Sequence, residues 1–138
     1  MLFRSSLFAA SCTIGAVLGG ITPAQRARVS AFGHHLGLAF QMADDTLDFV
    51  APEAQLGKPV HNDLKEGKIT LPIIVAMQRA STREAQMIVD YLHSADATDA
   101  DLQQVIALLH KYETLQFTMA RAQEHVTQAQ QYLDGFAS

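Results

Sequence analysis

The sequence has 138 residues, of which 49% are apolar and 17% are charged, a balance that excludes a disordered or fibrous chain. A chain of this length builds one ordinary hydrophobic core, so we expect a single domain over residues 1–138. The net charge of −4 excludes a general nucleic-acid-binding protein, which needs a basic face. Cys12 is the only cysteine; an internal disulfide is therefore excluded, and a reducing, cytoplasmic location is expected.

The N-terminal stretch MLFRSSLFAASCTIGAVLGG resembles a secretory signal, because Arg4 precedes an apolar run. Ser11 and Thr13 interrupt that run, which is also too short to span a bilayer. We therefore expect no stable membrane insertion, with an exported helical protein kept as an alternative. The stretch instead predicts a buried helix whose small residues let neighbours approach closely: Ala9, Ala10, Gly15, Ala16 and Gly19.

Helical patterns continue along the rest of the chain. Pro23, in the favoured first turn, begins a long second helix whose apolar residues recur every three to four positions up to Val50. Residues 51–69 contain two prolines and two glycines and predict an irregular loop. Further helices are predicted over Thr70–Arg79, Thr82–Ser94, Asp99–Leu109 and Lys111–Leu133. No segment has the pattern of a β-strand, so the predicted fold class is all-α.

Three carboxylates fall within five positions near the end of the long helix, in FQMADDTLDF. Asp44 and Asp48 lie one turn apart on one face, and Asp45 stands about 100° from Asp44. Like charges at this spacing cost about 0.2–0.5 kcal/mol per pair. The helix dipole disfavours anions at this end by about 0.3–1 kcal/mol more. A bound hard cation such as Mg²⁺ would remove both penalties, although three solvated aspartates are the simpler alternative.

The loop after the long helix carries three lysines, Lys58, Lys65 and Lys68. Mg²⁺ usually shares its coordination with substrate phosphates, so cationic side chains near the aspartates indicate a diphosphate site. Lys65 is the weakest candidate of the three, because it could pair with a neighbouring acid. Gln41 lies one turn before the aspartates and could donate to the same ligand.

The run GLAFQMADDTLDF, followed by LGKPVHNDLKEGKITLP, resembles the second aspartate-rich region of the trans-type polyprenyl diphosphate synthases. That family includes farnesyl, geranylgeranyl and octaprenyl diphosphate synthases. LFRSSLFAASCTIGAVLGG is similar to the helix that precedes this region, so the resemblance covers most of the chain up to about residue 80. It implies the C-terminal part of an isoprenoid synthase helical bundle.

The resemblance also implies residue roles. Asp44, Asp45 and Asp48 would bind Mg²⁺ directly or through water, with Asp44 the expected direct ligand, and Asp63 would help to order the metal shell. The residues expected to contact substrate are Phe40 and Gln41, beside the allylic tail, and Lys58 and Lys68, on the departing diphosphate. His61 stands where many members of the family carry glycine.

The implied activity joins an allylic prenyl diphosphate to isopentenyl diphosphate. Such enzymes use two aspartate-rich motifs, and this chain carries only the second; Asp96, Asp99 and Asp101 have the pattern of helix caps instead. We therefore expect the chain to supply one half-site, to be inactive alone, and to assemble as a homo-oligomer or with a chain that supplies the first motif. The alternative is a small regulatory or binding subunit without catalysis of its own.

His34 and His35 are adjacent in the long helix and so diverge by about 100°. A metal-binding pair on one helix needs a spacing of four residues. The two histidines are therefore not expected to form such a pair.

Overall fold

The protein is described by a computed structural model that covers residues 2–50 and 61–136, with side chains from residue 5 onward. Within these ranges the chain contains seven helices and no strand, which confirms the all-α prediction. The helices are α1 (Leu2–Leu18), α2 (Pro23–Val50), α3 (Asn62–Lys65), α4 (Leu71–Arg79), α5 (Thr82–His93), α6 (Asp99–Lys111) and α7 (Thr114–Leu133). None of these helices combines the length and the apolar character that crossing a bilayer requires.

The helix boundaries follow local sequence signals. Gly20, with φ of 66°, adopts the left-handed conformation just after α1, and Pro23 begins α2 as predicted. The predicted helix from Lys111 is displaced: α6 extends through Lys111, and α7 begins only at Thr114. Glu113, with φ of 51°, lies between them, and this left-handed residue interrupts the helical backbone.

The chain divides into two compact units. We call residues up to 43 together with residues from 120 on the terminal unit, and residues 44–119 the central unit. The prediction of one domain over residues 1–138 stays a prediction.

In the terminal unit α1 lies against α2 at two glycines of α2. A Cβ atom on Gly33 would lie 2.7 Å from the Phe8 carbonyl oxygen and 2.8 Å from Cys12 Sγ. A Cβ atom on Gly37 would lie 2.7 Å from Ser5 Cα. These contacts are too short for any side chain, so glycine is required for the two backbones to approach this closely.

Of the small residues of α1 that the sequence singled out, Ala9 lies at this contact, with its Cα atom 3.0 Å from a Cβ atom placed on Gly33, whereas Gly15 does not. A Cβ atom on Gly15 would have no neighbour within 4 Å. One face of α1 carries three large, exposed apolar side chains, Leu7, Ile14 and Leu18, with exposed fractions of 65%, 61% and 83%. We call these residues the α1 outer face. The predicted burial of this helix therefore holds for the side of α1 that packs on α2, and it is wrong for the α1 outer face, which does not pack within the described chain.

Polar contacts also join α2 to α7 in the terminal unit. Arg28 Nε donates to the Tyr132 carbonyl oxygen at 3.1 Å, and Arg28 Nη2 donates to the Asp134 carbonyl oxygen. The guanidinium group therefore satisfies backbone carbonyls at the C-terminal end of α7, where the helix itself provides no donors.

The central unit has a core of large apolar side chains. Helices α4, α5 and α6 each contact the other two. The buried cluster consists of Phe49, Leu64, Ile73, Ala76, Ile88, Leu102, Val105, Leu108, Leu109 and Leu115. Burial of these side chains supplies the main favourable term for this unit.

Two helices of the central unit begin with capping boxes. The Ser81 hydroxyl and the Glu84 carboxylate exchange hydrogen bonds with each other's backbone N–H at the start of α5. Thr98 and Asp101 do the same at the start of α6, so the interpretation of Asp101 as a cap is confirmed. Thr70 precedes α4 in the N-cap position, but its side chain accepts no capping hydrogen bond.

Candidate functional site

The three aspartates of α2 differ in burial. Asp48 is fully buried, Asp45 is 3% exposed, and Asp44 is partly exposed. Burying a carboxylate requires hydrogen bonds or a counter-charge, because an uncompensated buried anion is costly. These are therefore not three solvated surface carboxylates, which was the simpler alternative for this motif.

Asp48 is the point at which the polypeptide after the loop meets α2. Its Oδ2 accepts a hydrogen bond from the Asp63 backbone N–H at 3.1 Å. Its carbonyl oxygen accepts from the His61 N–H at 2.9 Å. The first bond stabilises the buried carboxylate, and the second satisfies a carbonyl in the last turn of α2. Residues 61–63 are thereby held against the end of the aspartate motif.

His61 makes this connection with an unusual backbone. Its φ of 59° and ψ of 28° place it in the left-handed region. This conformation favours glycine, yet the chain carries a histidine here. Its ring lies 5.8 Å from the Phe49 ring, centroid to centroid. Burial lowers the pKa of His61, the Asp48 charge acting in the opposite direction, so the neutral imidazole is favoured.

Lys68 lies beside two carboxylates. Its Nζ is 2.8 Å from Asp63 Oδ1 and 2.7 Å from Glu66 Oε2. Its backbone N–H donates to the Asp63 carbonyl oxygen at 2.9 Å. The hydrogen bonds to Asp63 and then Glu66 raise the pKa of Lys68 well above its usual value. The side chain is 54% exposed, so the ammonium remains accessible to a ligand.

The loop prediction requires one correction. Residues 62–65 form the short helix α3, with Leu64 1% exposed in the core of the central unit. Helical periodicity is not visible in this segment because four residues are too few to show it. The first ten residues of the predicted loop, Lys58 among them, lie outside the described residues.

Phe40 and Gln41 precede the aspartates on α2. The Phe40 side chain is 52% exposed, and its ring lies 5.5 Å from the Phe8 ring, centroid to centroid. Gln41 is partly exposed. Their predicted contacts with an allylic tail stay predictions.

The donors around α2 fit a hard divalent cation in their chemistry. They are carboxylate oxygens, which Mg²⁺ prefers, and Asp44 is open to water. Among the described residues, no three His, Cys, Asp or Glu side chains are gathered closely enough to hold an ion unaided. The predicted binding of Mg²⁺ by Asp44, Asp45 and Asp48 stays a prediction. The role of Asp63 in a metal shell stays a prediction.

Two contacts escaped sequence reasoning, one in the candidate site and one in the terminal unit. Glu66 lies two positions before Lys68, a spacing that could have suggested an ion pair. The turn through Gly67, with φ of 70°, brings the two side chains together. His35 was considered only with its neighbour. In the structure its Nδ1 lies 2.9 Å from His125 Nδ1, a contact across 90 residues that no local pattern indicates.

The chain matches the family model for polyprenyl synthetase over residues 4–109. It is 36% identical over 130 residues to the short chain isoprenyl diphosphate synthase of Methanothermobacter thermautotrophicus, with 94% of this chain and 39% of that protein covered. It is 33% identical over 129 residues to heptaprenyl diphosphate synthase component 2 of Geobacillus stearothermophilus, again with 94% of this chain and 39% of the relative covered.

The fold is similar to that of a polyprenyl synthase from Caulobacter crescentus, whose solved structure is a complex with calcium and isoprenyl diphosphate. The TM-score is 0.84 at 35% identity, over 92% of this chain and 39% of that one. The chain thus spans 39% of the length of each of these proteins. Because the family model covers most of the sequence and both relatives exceed 30% identity, the chain belongs to the polyprenyl synthetase family.

Proposed function

We propose that this chain provides the second aspartate-rich half-site of a Mg²⁺-dependent prenyltransferase that elongates an allylic diphosphate with isopentenyl diphosphate. The observation that carries the proposal is the linkage of Asp48, Asp63 and Lys68, in which a buried carboxylate of the motif is hydrogen-bonded to the segment that carries an accessible ammonium. Family membership supports the reaction class. The calcium and isoprenyl diphosphate of the Caulobacter relative support the ligand chemistry.

In this proposal the cationic side chains bind the leaving group. Lys68, together with Lys58, donates to diphosphate oxygens, and Asp44, Asp45 and Asp48 supply the oxygens that would hold Mg²⁺. Bound Mg²⁺ would neutralise negative charge on the departing diphosphate. Breaking the allylic carbon–oxygen bond moves an electron pair onto the diphosphate, so donors placed beside those oxygens lower the barrier.

The hydrocarbon part of the substrate needs an apolar surface. Phe40 offers an exposed ring one turn before Asp44, and Gln41 offers an amide beside it. We propose that these two residues contact the allylic tail near the carbon that reacts. Exclusion of water there would protect a developing allylic cation from capture.

Assembly belongs to the same proposal. The α1 outer face exposes 61% or more of each of Leu7, Ile14 and Leu18. Exposed apolar side chains clustered on one face favour association. We propose a homo-oligomer, or a complex with a chain that supplies the first aspartate motif, and we expect the 138-residue chain to be inactive alone. Monodisperse monomers at micromolar concentration would contradict the association.

The test begins with the native protein, captured from its source cells with an antibody against this chain. Its intact mass is compared with the 15.0 kDa of the sequence, and its Mg²⁺-dependent incorporation of labelled isopentenyl diphosphate is measured. We expect Asp44→Asn in the native protein to reduce turnover by about 10²- to 10³-fold, as loss of one key electrostatic group does. Asp96→Asn, on an exposed turn, is the matched control.

Full activity of Asp44→Asn would overturn the catalytic proposal. Clear Mg²⁺-dependent turnover by the purified 138-residue chain would overturn the proposed inactivity. In either case Asp96→Asn should retain normal turnover.

A regulatory or binding subunit is the second candidate. The observation in its favour is the similarity to a heptaprenyl diphosphate synthase named as component 2. A native mass near 15.0 kDa, with a second chain in the captured complex and unchanged activity after Asp44→Asn, would favour this candidate.

A further inference from the structure

Asp63 connects two parts of the proposed site. Its backbone N–H donates to Asp48 Oδ2 at 3.1 Å, and its own Oδ1 accepts from Lys68 Nζ at 2.8 Å. Its carbonyl oxygen also accepts from the Lys68 N–H at 2.9 Å. Asp63 is only 8% exposed. One buried residue therefore fixes both the backbone and the ammonium of Lys68 relative to the aspartate motif.

We infer that Asp63 is a positioning residue that holds the Lys68 ammonium for a diphosphate, and that Glu66 is the exchangeable partner that the diphosphate replaces. This inference rests on the proposed function of the site. It assigns different tasks to two carboxylates that contact the same ammonium.

The difference in exposure distinguishes the two carboxylates. The Asp63 side chain is 11% exposed, whereas that of Glu66 is 50% exposed. Separating Lys68 from Asp63 would leave a largely buried carboxylate without its charge partner, which is costly. Separating Lys68 from Glu66 costs less, because the Glu66 side chain is half exposed.

Glu66 also has another partner. Asn62 Nδ2 donates to Glu66 Oε1 at 2.7 Å, so Glu66 keeps a hydrogen bond when Lys68 turns away. A diphosphate oxygen can therefore take the place of Glu66 Oε2 on the ammonium while Asp63 stays in contact.

The first experiment measures Lys68 without any ligand. The full chain is treated briefly with an amine-acylating reagent, and mass spectrometry compares the labelling of Lys68 with that of exposed Lys65 in each variant. A hydrogen-bonded ammonium resists deprotonation and therefore reacts slowly. We expect Asp63→Asn to raise Lys68 labelling at least threefold and Glu66→Gln to raise it less, with Lys65 labelling unchanged.

The second experiment adds inorganic pyrophosphate and MgCl₂. Calorimetry should show that Asp63→Asn weakens pyrophosphate binding about tenfold, whereas Glu66→Gln binds as tightly as the unchanged protein or more tightly. Asp90→Asn removes an exposed carboxylate from α5 and is the matched control. Circular dichroism and melting temperature identify any variant that fails to fold.

A double-mutant cycle separates positioning from a merely structural role. Lys68→Met should weaken pyrophosphate binding by itself, and adding Asp63→Asn should then have no further effect. The cycle still tests the positioning role of Asp63 if Asp63→Asn lowers the melting temperature. Additive losses of affinity would overturn the inference.

The outcomes distinguish the inference from the function on which it rests. Pyrophosphate binding that is equal in Asp63→Asn and in the unchanged protein overturns the positioning role and leaves the proposed function standing. No pyrophosphate binding by the unchanged protein overturns the diphosphate half-site itself. In that case the ligand-free labelling still tests whether Asp63 holds Lys68.

Discussion

The two units of the chain are stabilised by different kinds of packing. In the central unit the fully buried side chains include Leu64, Ile73, Ile88 and Leu109, all large and branched. In the described part of the terminal unit the buried apolar residues are Ala16, Ala39, Met42, Ala122 and Ala129. Large side chains contribute more burial per residue, whereas alanine and glycine allow helices to approach closely. The central unit therefore derives its stability from apolar volume, and the terminal unit from close backbone contact and polar pairs.

The largest expected effect tests the apolar core of the central unit. Ile88 is fully buried, so Ile88→Ala should lower the free energy of unfolding by about 2–5 kcal/mol. Ile14→Ala, at a side chain that is 61% exposed, should change it by no more than about 0.5 kcal/mol. Urea denaturation measures both. Both variants are measured at a protein concentration below that at which the chain associates, where equal losses would show that the α1 outer face packs within the chain itself.

The next effect tests close backbone contact in the terminal unit. A Cβ atom on Gly37 would lie 2.7 Å from Ser5 Cα, so Gly37→Ala should cost about 1–3 kcal/mol by overpacking. Gly15→Ala, with open space around its Cβ atom, should stabilise the chain by about 0.5–1 kcal/mol. Thermal melting should therefore shift in opposite directions for the two variants. A stabilised Gly37→Ala would contradict the close contact of α1 with α2.

A smaller effect distinguishes two N-cap threonines of the central unit. Thr98 accepts a hydrogen bond from the Asp101 N–H, so Thr98→Ala should cost about 1 kcal/mol. Thr70 Oγ1 is buried and has no hydrogen-bond partner among the described residues, so Thr70→Val should be neutral or slightly stabilising. Chemical denaturation of both variants measures the difference. A loss of about 1 kcal/mol in Thr70→Val would contradict this assignment.

The smallest effect is a pH dependence in the terminal unit. Burial, followed by the neighbouring His125 and His34, lowers the pKa of His35 below its usual 6.5. Below pH 6.5 the unfolded chain therefore binds a proton that the folded chain resists, and stability falls as the pH decreases through the folded pKa. His35→Gln should reduce the fall in melting temperature between pH 7.5 and pH 5.5. Burial also lowers the pKa of His61, so acidification destabilises the folded chain through His61 in the same direction. His61→Gln is therefore the comparison variant.

Local signals predicted much of the fold. Pro23 marks the start of α2, and the capping box of Thr98 and Asp101 marks the start of α6, because each depends on residues within four positions. The contact surfaces were not predicted. Gly33 and Gly37 resemble weak points inside a long helix until the neighbouring α1 is known. A pattern within one helix cannot show which of its faces meets another helix.

In the candidate site the sequence indicates residue types, but not the contacts between them. The grouping of aspartates and lysines, with their carboxylate and ammonium chemistry, can be read from residue type and spacing, whereas their roles toward metal and substrate stay predictions. The contact of Asp63 with Asp48 depends on a left-handed residue at His61, which a sequence without glycine at that position does not indicate. The partner of His35 lies 90 residues away and is set by the fold alone.

The contact of Arg28 with the end of α7 has a consequence for the order of folding. It joins residues separated by 104 positions, whereas the central unit is one continuous segment. During synthesis the central unit can bury its core while α7 is still being completed. The polar contacts between α2 and α7 form only after the later residues have left the ribosome. We therefore expect amide protection to appear first in α4, α5 and α6, and last where Arg28 meets Tyr132.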